Sequence, residues 1–419
     1  MRRRSLLIAA GGLTGFGGLV GVHQRRRLSR WADRDALRST LEVDVPDPAG
    51  AVVVTESHLE SAHADLETLV DEARNARSAH DEPPETTLSR AVDTLEETDP
   101  DTVESDSNRE RERLLDRLRR GLVEAGRALA TIEADRGELA VDEVREEVDT
   151  LESRADGTEI AYRADSVSES VVQYAAADEA LEDARTRIDW ASERLEDYPS
   201  SSVGYLARAR GSLADAERFA AVVDGEEIDD RFEERYRALA DATETILEAT
   251  EFEYDDDRLT YAFQARSFSQ PRTDGAGAAS VGDRALAVRA AAEEYARANT
   301  LEAFTDVPAT GYGHPSSDLA SAFETTGEDV LAAKERAADA VGKRLEADGD
   351  KPLARHLLAG IRDRIDTGDR RVESTFGEIN EASDDEWIVA LADAALLYRQ
   401  AALEAERLPA GLELVAGRR

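Results

Sequence analysis

The sequence predicts an all-α protein: an elongated antiparallel helical bundle, or an irregular helical array, behind one N-terminal transmembrane or signal helix. Three observations predict it. Apolar residues recur at alternating three- and four-residue steps through most of the chain. Turn-forming pairs such as Asp156-Gly157 and Asp224-Gly225 separate these runs. An apolar stretch at residues 6–22 stands between two arginine clusters.

The N-terminal segment reads MRRRSLLIAAGGLTGFGGLVGVHQRRR. Its apolar part is as short as a bilayer-spanning helix can be. Arg3-Arg4-Ser5-Leu6-Leu7 resembles the twin-arginine export signal, with Arg2 standing where that pattern carries Ser or Thr. Secretory signals end in a small-x-small cleavage site. The stretch here ends Gly-Leu-Val-Gly-Val-His-Gln-Arg, and the chain has no cysteine to accept a lipid. The expectation is therefore a signal-anchor over residues 1–24 that stays in place.

Residues 25–55 are expected as an extended tether, because Pro46, Pro48 and Gly50 oppose helix and Ala51–Thr55 is β-branched. Helix begins near Glu56 with Thr55 or Ser57 as its cap. A heptad-rich bundle is expected over 56–266. Leu115, Leu118, Leu122, Ala125, Leu129 and Ile132 form one seam, and Tyr174, Ala177, Leu181, Ala184, Ile188, Ala191 and Leu195 another. Leu206, Ala209, Leu213, Ala216, Ala220 and Val223 form a third. Such seams suit helices crossing at shallow angles. Short connections make successive helices antiparallel. The loop SQPRTDGAGAASVG marks a boundary, and a C-terminal helical region is expected over 283–419. There the pattern predicts helices over about 319–347, 352–366, 370–381 and 386–407.

Charge bounds the environment. The net charge is −39, and residues 1–34 alone carry +7, so the remainder carries −46. Of 52 basic residues only Lys334, Lys343 and Lys351 are lysine. Acid excess, scarce lysine, no cysteine and abundant alanine together resemble proteins of extremely halophilic archaea. In molar salt the Debye length falls to about 3 Å, so that self-repulsion is screened. In dilute buffer the same charge predicts lost helicity. Nucleic acid is not an expected partner, because phosphate binding needs a basic patch and the basic cluster lies beside the apolar stretch.

No local pattern carries chemistry. His58 and His63 are five apart, off the four-residue spacing that lets two imidazoles share a metal on a helix. Gly342-Lys343-Arg344 lacks the upstream glycine of a phosphate loop. The acidic runs at 254–258 and 348–351 lack the twelve-residue spacing of a calcium loop. No catalytic residue, cofactor or metal ligand is therefore assigned. The GYGHP stretch places Tyr312 and His314 in a glycine- and proline-bounded loop, the candidate groove.

The expected function is a membrane-anchored or exported envelope protein: a non-catalytic helical scaffold or binding module with a protein partner. Two other readings stand beside it. One is an exported small-molecule-binding protein with its groove near the 306–316 loop. The other is an enzyme whose paired carboxylates form no local motif. The expected place is the cell membrane, anchored through residues 6–22 with the acidic domain outside. Secretion after cleavage, or a cytoplasm-facing domain, are the alternatives.

Overall fold

The computed structural model describes residues 33–78, 86–99, 107–250, 282–304, 325–378 and 384–417. Among these residues there is no strand, and one isolated antiparallel bridge joins Arg163 to Glu227. The protein is all-α, as its periodicity predicts. No helix among the described residues is long and apolar enough to cross a membrane. Residues 1–32, which hold Arg3, Arg4 and the stretch 6–22, lie outside the described residues, and so does the 306–316 loop with Tyr312 and His314.

The helices run in chain order as α1 (33–42), α2 (Glu56–Ser78), α3 (Thr86–Glu97), α4 (Asn108–Asp135), α5 (Val141–Gly157) and α6 (Val167–Arg194). They continue as α7 (Pro199–Ala221), α8 (Asp229–Ala249), α9 (Arg284–Ala298), α10 (Gly327–Asp348), α11 (Pro352–Glu378) and α12 (Asp384–Ala416). Local chemistry sets several starts. The Thr55 hydroxyl accepts from His58 N and caps α2. Ser107 caps α4 by accepting from Glu110 N. Thr326 and Asp329 cap each other at α10 in a capping box. Pro199 opens α7, where its missing N–H costs nothing.

The described part of the expected 25–55 tether, residues 33–55, differs from that reading. Residues 33–42 are helical, and Leu37 and Thr40 are fully buried. Residues 43–55 carry no helix but are packed rather than free, with Val45 and Val54 buried. The reason is a long-range partner. The Gln173 amide accepts from Val53 N at 2.8 Å and donates to Val53 O at 3.2 Å, so a side chain replaces a neighbouring strand.

That glutamine belongs to the central helix. Every residue from Ser170 to Asp178 of α6 is buried, so this half of the helix has no solvent face. Tyr174 and Ala175 join the apolar cluster shared with α8–α12, Ala176 and Ala177 join the one shared with α2 and α4, and Leu181 onward joins the one with α5 and α7. The large cluster runs without a break from Tyr162 and Val171 through Phe232 to Tyr398, across the position of the expected 266/283 boundary. The boundary loop itself lies outside the described residues.

Neighbours in sequence are mostly antiparallel neighbours in space. α6 and α7 meet at Ala191 with Ser202, Asp183 with Ser212 and Gln173 with Phe219. α11 and α12 meet at Arg364 with Glu404 and Asp369 with Tyr398. The two helices expected at 352–366 and 370–381 are the single α11, because the residues between them are pinned. Asp369 pairs with the fully buried Lys334 of α10 at 2.8 Å and accepts from the Tyr398 hydroxyl at 2.6 Å. Helix α12 also runs past its expected end at 407 and through Pro409. Leu408, Leu412, Leu414 and Val415 are buried there and hold the last turns to the core.

Candidate functional site

The densest constellation of buried polar groups lies where α2, α4 and α7 meet. Helix α7 carries two interior rows. One is the apolar seam Leu206, Ala209, Leu213 and Ala216, packed on α5 and α6. The other is Gly204, Ala207, Gly211, Ala214 and Arg218, also stepping three and four, which faces α4 and α2. At Gly204 a Cβ would come within 2.6 Å of Val123 O, and at Gly126 it would lie 3.1–3.2 Å from Ala207 and Gly204. The two backbones therefore touch, and only small residues allow it.

Asp215 sits beside this second row and is almost fully buried. Its Oδ2 accepts from Arg119 Nε at 2.7 Å, and its Oδ1 accepts from His58 Nε2 at 2.6 Å and from Arg119 Nη2. Burial alone pushes the Asp215 carboxyl up, but His58 and Arg119 outweigh it and hold the group below the usual carboxylate range. Phe219 closes the other side, its ring edge-on to the His58 imidazole at 4.9 Å between centroids. A carboxylate only accepts, so His58 Nε2 carries the proton.

One turn of α7 earlier, Asp183 of α6 accepts from Ser212 Oγ at 2.7 Å, Arg208 Nε at 2.9 Å and Arg187 Nε at 3.1 Å. Burial raises this carboxyl too, and Arg208, Ser212 and Arg187 together bring it below its usual range. Arg208, Asp183, Ser212 and Asp215 line a shallow groove of about 300 Å³ floored by Val52, Leu115 and Phe219. On the other side of Arg119, a second cleft of about 330 Å³ lies between α2 and α7 over Leu122.

Asp178 and His356 make polar ties elsewhere among the described residues. Asp178 of α6 accepts from Leu286 N at 3.0 Å and from the Tyr162 hydroxyl at 2.8 Å, so a carboxylate on one helix caps the start of α9. Burial lifts the Asp178 carboxyl to about 7 despite these bonds. His356 of α11 meets Glu293 of α9 at 2.9 Å, beside a cleft of about 200 Å³ that Arg297, Arg364 and Glu404 also line. Among the described residues no group of three His, Asp or Glu side chains could hold a metal ion. His58 and His63 are far apart in role: His63 Nε2 meets the Leu95 carbonyl on α3 at 3.3 Å.

The two anticipated groove residues, Tyr312 and His314, lie outside the described residues. Asp215, Arg119 and Asp178 escaped sequence reasoning. The available signal was the second three-four row on α7, with an aspartate next to it on a helix already buried on its other side.

Residues 57–241 are similar to a family described as a domain of unknown function, DUF8262. Residues 216–417 are similar to a second, DUF8264. The two matches overlap at the end of α7 and most of α8. No curated protein and no solved structure matches the chain.

Proposed function

We propose that the protein is a membrane-anchored, non-catalytic helical scaffold or binding module of a halophilic cell envelope, with residues 6–22 as anchor and the acidic helices outside. One observation carries the reading. Buried polar side chains are occupied in tying helices together. Asp215 joins α2, α4 and α7, Asp178 joins α6 to α9, and Tyr398 and Lys334 converge on Asp369 to join α10, α11 and α12. Catalytic acids and bases are tuned by the same forces, but they must present an open atom to a substrate. In Asp215 and Asp178 both carboxylate oxygens are engaged.

Such ties suit an irregular helical array whose seams are rich in alanine. Alanine contacts bury little area and leave helices free to slide, and a buried charge pair with one good geometry resists sliding. A fixed register is what a scaffold offers a partner. The twin-arginine resemblance supports export, and the missing small-x-small site supports retention at the membrane.

The test is fractionation of cells in molar salt, with protease added to intact cells. The expected outcome is full-length protein in the membrane fraction whose acidic helices are digested from outside. Recovery of the intact chain wholly in the soluble fraction would refute the anchor.

A further inference from the structure

The end of the α6–α7 hairpin presents aromatic rings to solvent. Trp190 is 40% exposed and Tyr198 is 61% exposed, and these are the two exposed aromatic side chains among the described residues. Both lie where α6 turns into α7. Tyr205 of α7 is half-buried and meets the Trp190 ring edge-on, with 5.6 Å between centroids. Two guanidinium groups flank these rings. That of Arg187 lies 4.5 Å from the Trp190 centroid, and that of Arg194 lies 5.7 Å from the Tyr205 centroid. Trp, Tyr and Arg are the side chains that most often anchor protein interfaces, since each offers a large, flat, rigid contact.

On α6 the residues Arg187, Trp190, Arg194 and Asp197 step three, four and three, so they form one row on the solvent side. Asp197 continues the row just past the helix, where the cap residue Leu195 still has helical backbone. The row is about 15 Å long. Its charges are not balanced within the chain. Arg187 and Arg208 share the single carboxylate of Asp183, at 3.1 and 2.9 Å, which leaves one surplus positive charge at that end. Arg194 and Asp197 are exposed and make no ion pair among the described residues. The neighbouring Glu196, by contrast, is held by Arg145 at 2.7 Å.

Such a row is complementary to itself. Laid in reverse along a second copy, it sets Arg187 opposite Asp197 of the second copy and Trp190 opposite Arg194 of the second copy, and symmetry supplies the converse pairs. Each position then meets an opposite charge or a cation over a ring. A purely acidic partner helix would set like charge against Asp197, and a purely basic one against Arg187 and Arg194. We propose that this edge of α6 is a self-association surface, on which two copies of the chain pair antiparallel about a two-fold axis between Trp190 and Arg194. The contact is short, so the dimer is a weak one, with a dissociation constant on the order of 10 μM. Molar salt screens the long-range repulsion between two acidic chains but acts much less on pairs shielded inside the contact. The proposal goes beyond the scaffold reading and does not depend on the anchor.

Sedimentation velocity of the full chain in mild detergent and molar salt, over about 1 to 100 μM, tests it. The expected result is a shift from monomer to dimer and no further, because an isologous contact closes on itself. Trp190→Ala should weaken the dimer roughly tenfold or more, as loss of a central aromatic anchor does. Asp197→Arg sets like charge against Arg187 and should weaken it about tenfold. Asp197 is exposed and holds no interior tie, so this variant keeps the test valid if Trp190→Ala does not fold. A monomer at every concentration would overturn the proposal and leave the edge to a partner other than this chain. Growth beyond the dimer, or an unchanged dimer in Asp197→Arg, would overturn it as well, the latter placing the pairing elsewhere on the chain.

Discussion

Arg119 and Asp215 are 96 residues apart in sequence and form a two-point ion pair in the interior, Nε to Oδ2 at 2.7 Å and Nη2 to Oδ1. Both side chains are less than a tenth exposed. The pair holds α4 against α7, and the third guanidinium nitrogen, Nη1, lies 3.7 Å from Asp65 Oδ2 of α2.

Removing one partner of such a pair strands a buried charge. Asp215→Ala is expected to destabilise the protein by about 3–5 kcal/mol, measured by chemical denaturation in molar salt. Replacing both partners with apolar residues of similar size, Arg119→Met with Asp215→Leu, should recover most of that loss. A double variant as unstable as Asp215→Ala would show that the pair itself, and not merely its completeness, holds the helices.

Two glycines inside helices should respond in opposite directions to the same substitution. A Cβ at Gly204 would meet the Val123 carbonyl at 2.6 Å, whereas one at Gly360 of α11 meets nothing within 4 Å. Gly204→Ala should therefore lower stability by about 1–3 kcal/mol through overpacking. Gly360→Ala should raise it by about 0.5–1 kcal/mol, since alanine loses less backbone freedom in a helix. Thermal unfolding of the two variants side by side gives the signs, and matching signs would contradict the close approach of α4 and α7.

The Asp178 clasp predicts a pH dependence. Burial lifts its folded carboxyl to about 7, against an ordinary value of 3.8, with Leu286 N and Tyr162 opposing and Asp283 reinforcing. The ion pair of Arg289 with Glu179 lies alongside. The folded state thus holds this proton more tightly than the unfolded state does. Its contribution is complete below about pH 4 and is lost as pH rises through about 7, with a ceiling of about 4 kcal/mol. Asp178→Asn has no such proton to lose. Between about pH 4 and 7 the unfolding midpoint of the parent should fall more steeply with rising pH than that of the variant. Parallel profiles would exclude Asp178 as the source.

Much of the fold was legible in the sequence, for a local reason. The steps of three and four at Leu115–Ile132 and Leu206–Ala220 appear as α4 and α7, because that spacing places side chains on one face whatever the partner is. Thr55 caps α2 because the cap acts within one turn. The errors have the same logic in reverse. Residues 33–55 read as a tether because their partner, Gln173, lies some 120 positions away. The break expected near Asp366 disappears because Asp369 is held by Lys334 and Tyr398, 35 and 29 positions off. Lys334 is one of three lysines in the chain, and scarcity alone does not reveal that it is buried.

By itself, then, the amino-acid order determined that this chain is helical, where most of its helices begin, and that its surface is strongly acidic. Each of these follows from neighbours within a turn or from simple composition. Only the tertiary structure decided which few of its 91 acids are interior. Asp215 is distinguished from the rest by His58 and Arg119, 157 and 96 residues away, and Asp178 by the start of α9, 108 residues on. An aspartate on a helix has the same local pattern whether water or a guanidinium faces it. The partner that sets its charge, its burial and its role arrives only when distant helices pack.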